Sequence, residues 1–218
     1  MKKIAIFGCG GFGREVTMLI EQINANKPEW DLIGFYDDAA EKGTWINDYI
    51  VLGGMEELNE VQEPLAVAIA VGDPKLKKKI HDSILNAHIF YPTLIHPTVI
   101  TGNRKFLSIG QGCIIGPGNI FTVNIQIGDF VILSIFCSVG HDTIIKDYAS
   151  FMPAVNISGE VIIGEFVFVG TGAKIINQIE IGRETIVGAG AIVSNSLPEK
   201  CTAVGVPAKP IKFHEKHS

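Results

Sequence analysis

Every sixth residue of the stretch 109–193 is apolar: Ile109, Ile115, Phe121, Ile127, Leu133, Val139, Ile145, Phe151, Ile157, Ile163, Val169, Ile175, Ile181, Val187 and Val193. No insertion breaks the count, and eight of these residues are followed directly by glycine (Gly110, Gly116, Gly128, Gly140, Gly164, Gly170, Gly182 and Gly188). A period of six matches neither the 3.6 of a helix nor the 2.0 of an ordinary strand. Held in phase this long, it is the mark of a hexapeptide solenoid. Each repeat then supplies one short side of a triangular coil. The apolar residue points inwards, and the small or aliphatic residues four places on (Cys113, Val131, Cys137, Ala149, Val167, Ala173, Ala191) are expected to fit the tight corners. Three repeats close one coil, so residues eighteen apart stack in three interior ladders. They begin Ile109-Ile127-Ile145, Ile115-Leu133-Phe151 and Phe121-Val139-Ile157. Five coils at a strand spacing of about 4.8 Å give a prism roughly 24 Å tall.

The chain has 218 residues, room for one or two domains. Mean hydropathy is positive, yet no run reaches the roughly 18 apolar residues of a membrane span; a prism filled with Ile and Val accounts for it. The short apolar run after Met1-Lys2-Lys3 is interrupted by glycines and Arg14-Glu15, too early for a signal peptide. A net charge of −5 without a basic block argues against nucleic acid. The four cysteines, Cys9, Cys113, Cys137 and Cys201, show no CxxC spacing and read as reduced thiols of a cytoplasmic protein.

Ahead of the repeats, a β-prone run over 2–7 leads into Gly8-Cys9-Gly10-Gly11-Phe12-Gly13, which matches G-x-G-x-x-G, and then into a helix-prone stretch over 14–24. Strand, glycine turn and helix in that order suit a phosphate: the backbone can approach closely, and the helix N-terminus offers unpaired N–H groups. A second strand over 31–36 ends in Asp37-Asp38, carboxylates placed to accept hydrogen bonds from a ribose or base. A third, over 65–71, ends in Gly72-Asp73-Pro74, and an amphipathic helix follows over 75–87. This half-Rossmann unit ends near Tyr91 and lacks the second βαβ half of a dinucleotide site. It reads as a holder for one nucleotide, with Gly8, Gly10, Gly11, Gly13, Asp37, Asp38 and Gly72 as the candidate contacts; a tight turn without ligand is the alternative. An oxidoreductase built on the glycine fingerprint is disfavoured for the same reason. The fold expected is therefore mixed: an α/β domain over 1–91, a parallel β-helix over 92–212, and a disordered tail over 213–218. His96, bracketed by Pro92 and Pro97, is expected at the corner where the first coil forms.

Within the repeats His141 is the only histidine, and Gly159 lies one coil above it. A glycine there leaves room beside an imidazole and exposes a backbone N–H. A histidine titrating near neutrality suits proton abstraction from a nucleophile, and Asp142 can orient the ring. Zinc needs at least three protein ligands, and one histidine does not supply them, so no metal is expected.

The chain resembles the hexapeptide acyltransferases of the sialic acid O-acetyltransferase and nucleotide-aminosugar N-acetyltransferase group, the NeuD and PglD type. The resemblance rests on Gly8-Cys9-Gly10-Gly11-Phe12-Gly13-Arg14, Gly34-Phe35-Tyr36-Asp37-Asp38, Leu94-Ile95-His96-Pro97, Gly140-His141-Asp142, Asn156-Ile157-Ser158-Gly159 and the closing Val204-Gly205-Val206-Pro207-Ala208-Lys209-Pro210. It implies a homotrimer of left-handed β-helices, an exception to the right-handed crossover rule, with acetyl-CoA between adjacent prisms. His141 then matches the general base and Gly159 a backbone contact near the acetyl group. Thr171, Gly172 and Ala189 match the pantetheine path, and Lys209 the nucleotide end of CoA. The N-terminal glycines and Asp37 and Asp38 match the region that holds the acceptor's nucleotide. Some relatives carry a histidine nine residues after the base and an asparagine seven before it; here these are Ser150 and Ser134. The function implied is acetylation of a nucleotide-linked amino sugar in surface polysaccharide or glycan biosynthesis. O-acetylation of a sialic acid-type sugar is the alternative, and a non-catalytic nucleotide-sugar-binding protein a second.

Overall fold

A computed structural model describes residues 1–214. They form two compact units, Met1–Pro97 and the chain from Thr98 onward.

The first unit is a six-stranded sheet with helices. β1 (Lys2–Phe7) runs into α1 (Gly11–Asn26), followed by β2 (Trp30–Tyr36), the strands β3 (Trp45–Ile46) and β4 (Tyr49–Gly53), and the short α2 (Met55–Asn59). β5 (Leu65–Ile69), α3 (Pro74–Ser83) and β6 (Ile89–Phe90) complete it, in the order β3-β4-β2-β1-β5-β6. All pairings are parallel except the β3–β4 hairpin. β1 and β5 are apolar along most of their length and buried, as strands covered on both faces must be. α3 starts where Asp73 accepts the Leu76 N–H at 2.8 Å and Pro74 takes the first helical position. The strand order reverses about β1, between β2 and β5, so the carboxyl ends of these three strands form a topological switch point.

The unit reaches Pro97. His96 is buried, and its Nε2 lies 2.6 Å from Gln22 Oε1 of α1, which ties the 92–97 segment to this unit. Burial lowers the His96 pKa.

The second unit is the expected left-handed parallel β-helix. Its two- and three-residue strands stack into three parallel sheets, with registers such as Ile127↔Ile145, Phe151↔Val169 and Val139↔Ile157, all eighteen residues apart. Every interior position named from the sequence is buried except Ile109, which is partly buried and packs against the core from the first coil.

The corners differ from the sequence reading. The small residues Cys113, Val131, Cys137, Ala149, Val167, Ala173 and Ala191 point into the prism and are fully buried. The residue before each one makes the turn, with φ positive at Gly112, Phe130, Phe136, Tyr148, Phe166, Gly172 and Gly190, and the same holds at Asn124, Asp142, Glu160 and Gln178. Left-handed backbone is costly for residues with a Cβ. Here it is held at most corners by a bond from the corner N–H to the coil below, as in Phe136 N–H to the Pro117 carbonyl and Phe166 N–H to that of Asp147. At one corner the side chains also stack: Phe130 on Tyr148 at 5.1 Å, Tyr148 on Phe166 at 5.3 Å, and the Arg183 guanidinium 5.4 Å from the Phe166 ring centre.

The last two strands, Cys201–Gly205 and Ala208–Phe213, form an antiparallel hairpin on the final coil, with a cis Val206–Pro207 bond at its tip. Phe213 is thus a strand residue. The His214 N–H donates to the Lys200 carbonyl and its Nε2 lies 3.0 Å from Thr202 Oγ1, so the ordered chain runs further than the sequence reading placed it. The rest of the expected tail, 215–218, lies outside the described residues.

Candidate active site

His141 follows the Ser138–Val139 strand, at the corner where one prism face gives way to the next. Its side chain is 54% exposed. Nδ1 lies 2.8 Å from Asp142 Oδ2, and the other carboxylate oxygen, Oδ1, accepts from Asn124 Nδ2 at 2.8 Å. Asp142 occupies one of the positive-φ corners, a conformation that Asp and Asn tolerate better than most residues. The Asn124 amide and then His141 hold its carboxyl below the usual range, so it is ionised at neutral pH. An ionised carboxylate at Nδ1 fixes a proton there and leaves Nε2 as the basic nitrogen.

The imidazole lies against Gly159. A Cβ built on that glycine would stand 2.4 Å from Nε2, 2.6 Å from Cε1 and 2.7 Å from Cδ2, so only glycine leaves the ring where it is. The Gly159 carbonyl accepts from Gln178 N–H, whereas its own N–H has no acceptor among the described residues. A nitrogen base beside a free backbone donor is what acyl transfer to a nucleophile requires.

The remaining candidates fall elsewhere on the prism. Thr171, Gly172 and Ala189 are at the corner that precedes the Asn156–Ile157 and Lys174–Ile175 face, and His141 and Gly159 at the corner that follows it. Thr171 and Ala189 are exposed, and nothing lies within 4 Å of a Cβ built on Gly172. Within one chain the two groups therefore flank opposite edges of a face. Lys209 is exposed in the closing hairpin. Ser134 and Ser150 are buried. Asn124 is the participant that the sequence reading missed; its signal was its place eighteen residues before Asp142. Among the described residues no group of three His, Cys, Asp or Glu is placed to hold a metal ion.

In the first unit the glycine loop, Asp37, Asp38 and Gly72 follow the carboxyl ends of β1, β2 and β5, and the Cys9 N–H joins the loop to Asp37. Gly13 is required by packing, since a Cβ there would sit 2.0 Å from the Gly8 carbonyl oxygen, whereas Gly10 and Gly11 face open space. Both Asp37 oxygens are engaged by backbone: Oδ2 accepts from Cys9 N–H and Oδ1 from Ala39 N–H, each at 2.8 Å. Partial burial raises the Asp37 pKa, but these N–H donors outweigh it and the net shift is downward. Asp38 Oδ1 accepts from Met55 N–H at 2.6 Å. The carboxylates thus shape the loops around the switch point.

The family described as PglD N-terminal domain matches residues 3–84. A GDP-perosamine N-acetyltransferase of Escherichia coli O157:H7 is 31% identical over 174 residues, covering 79% of this chain and 77% of that one. The chain belongs to the hexapeptide-repeat nucleotide-aminosugar acetyltransferase family. Among solved structures, PerB from Caulobacter crescentus in complex with CoA and GDP-perosamine superposes with a TM-score of 0.86 at 28% identity, covering 97% of this chain and 98% of that one. The acetyltransferase domain of PglB from Neisseria gonorrhoeae, in complex with acetyl coenzyme A, gives 0.85 at 28%, over 96% and 99%. WeeI from Acinetobacter baumannii gives 0.81 at 29%, over 97% and 100%. The likeness to these family members runs through both units.

Proposed function

We propose that this protein transfers the acetyl group of acetyl-CoA to the amino group of a nucleotide-linked amino sugar, with His141 as general base. The observation that carries it is the His141 ring held between the Asp142 carboxylate and Gly159, in a chain whose relatives act on GDP-perosamine and bind CoA. The acceptor nitrogen attacks the thioester carbonyl as His141 Nε2 takes its proton. The Gly159 N–H donates to the developing oxyanion. The C–S bond then breaks, and the proton passes from the imidazolium to the departing CoA thiolate. No covalent acetyl-enzyme is formed.

The same reading makes the protein a homotrimer. Thr171, Gly172 and Ala189 flank one edge of a prism face and His141 the other, which supports a groove lined by one copy's pantetheine contacts and its neighbour's base, with Lys209 toward the nucleotide end of CoA. The acceptor's nucleotide is held by the glycine loop of the first unit, at Gly8, Gly10, Gly11 and Gly13, with Asp37, Asp38 and Gly72 as further contacts. A cytoplasmic place in surface polysaccharide synthesis accords with four cysteines that form no disulfide and with these substrates.

The test is thiol release from acetyl-CoA against UDP-, dTDP- and GDP-linked 4-amino sugars and free sialic acid. Turnover with a nucleotide-linked amino sugar is expected. Turnover with sialic acid alone would replace N-transfer by O-transfer and remove the role given to the first unit.

A further inference from the structure

The geometry points to Asn124 as a positioning residue that acts on His141 through Asp142, an inference that rests on the reading of His141 as the base. Four successive coils place Asn124, Asp142, Glu160 and Gln178 in one corner column, each with positive φ. The column reads amide, acid, acid, amide. The outer amides donate inwards: Asn124 Nδ2 to Asp142 Oδ1 at 2.8 Å, and Gln178 Nε2 to Glu160 Oε2 at 3.3 Å. The two acids on adjacent coils therefore turn away from each other, each towards an uncharged donor. For Asp142 this has a chemical consequence. With Oδ1 tied to Asn124, the carboxylate cannot rotate freely, and Oδ2 is presented to His141 Nδ1 at 2.8 Å. The Asp142 backbone is fixed to the same coil, its N–H donating to the Val123 carbonyl at 3.0 Å. Asn124 thus sets both the direction of the carboxylate and, through it, the tautomer in which Nε2 is the base.

An asparagine also suits a positive-φ corner for purely conformational reasons. The two roles separate experimentally because glycine accepts the same backbone at least as readily. Asn124→Gly keeps the corner and removes only the donor. Gln178→Gly makes the identical change at the other end of the column, where the acceptor is Glu160 rather than the partner of His141.

Steady-state kinetics with acetyl-CoA and the acceptor, beside ¹⁵N NMR of the imidazoles with His141→Ala to assign the His141 signals, test the inference. Asn124→Gly is expected to lower kcat roughly tenfold, the size of one charge-assisted hydrogen bond. The KM for acetyl-CoA should stay within about twofold, since uniform binding is untouched. His141 should change from one Nδ1–H tautomer to a mixture. Gln178→Gly should leave kcat and tautomer unchanged. Wild-type kcat in Asn124→Gly, or an equal fall in Gln178→Gly, would overturn the assignment. If His141→Ala itself turns over like wild type, the base reading fails, whereas the tautomer measurement still decides whether Asn124 orients the pair.

Discussion

Replacing Gly159 by alanine adds one methyl group in the place the His141 ring occupies. Its carbon would lie 2.4 Å from Nε2 and 2.6–2.7 Å from the two ring carbons beside it. Ordinary carbon contacts are about 3.5–4.0 Å, so the ring must retreat by about 1 Å. The backbone does not resist the change, because Gly159 is not one of the positive-φ positions, and the three nearest atoms to the new methyl all belong to His141. The half-exposed ring can swing into solvent, so the fold should melt almost as before. Swinging out stretches the 2.8 Å contact with Asp142 and carries Nε2 away from the reacting amine. A misplacement of that size costs on the order of 10²-fold in rate. The expected result of a thiol-release assay is therefore a kcat lower by about two orders of magnitude, with an unchanged melting temperature. A variant that is equally folded and keeps kcat within about threefold of wild type would refute the packing of His141 on Gly159 as the source of the base's position.

Three further outcomes follow from the geometry. Gly13→Ala sets a methyl 2.0 Å from the Gly8 carbonyl oxygen, backbone against backbone; it should cost about 1–3 kcal/mol as an overpacked site and weaken nucleotide binding by the first unit in calorimetry, with acetyl-CoA binding retained. Phe151→Ala empties a fully buried ladder position of the prism and should lower the unfolding free energy by about 3–5 kcal/mol in a denaturant titration. Of the four thiols, Cys113, Cys137 and Cys201 are buried, and burial pushes Cys137 up to about 11, whereas Cys9 is partly exposed; Ellman titration at pH 8 should find one accessible thiol in the native protein and four in denaturant, and prompt reaction of two or more would contradict the closed prism.

The prism was legible because its information is one-dimensional. A six-residue period with no insertion dictates which residues point inward and which stack, and the registers follow by counting eighteen. The corner conformation was less legible. Phe130, Phe136, Tyr148 and Phe166 hold a left-handed backbone that their side chains disfavour, and they do so because each N–H finds a carbonyl on the coil below; nothing local in the sequence announces that bond. The β3–β4 hairpin and α2 were missed because they are short and lie in a polar, glycine-containing stretch with little periodicity. At the site, Gly140-His141-Asp142 and the glycine one coil above could be read directly. Asn124 was harder to read, since its place eighteen residues before Asp142 gains meaning only once its amide is seen on that carboxylate. Asp37 and Asp38 look in sequence like ligand contacts; that they also accept backbone N–H groups of the surrounding loops could not be read there.

The most direct test of the account is the turnover of His141→Ala beside the wild type, with acetyl-CoA and a nucleotide-linked 4-amino sugar at saturating concentrations and acetyl-CoA binding measured in parallel. Binding should stay intact and kcat fall by roughly 10²–10⁴-fold, the usual loss for a general base. Wild-type turnover in the variant would contradict it.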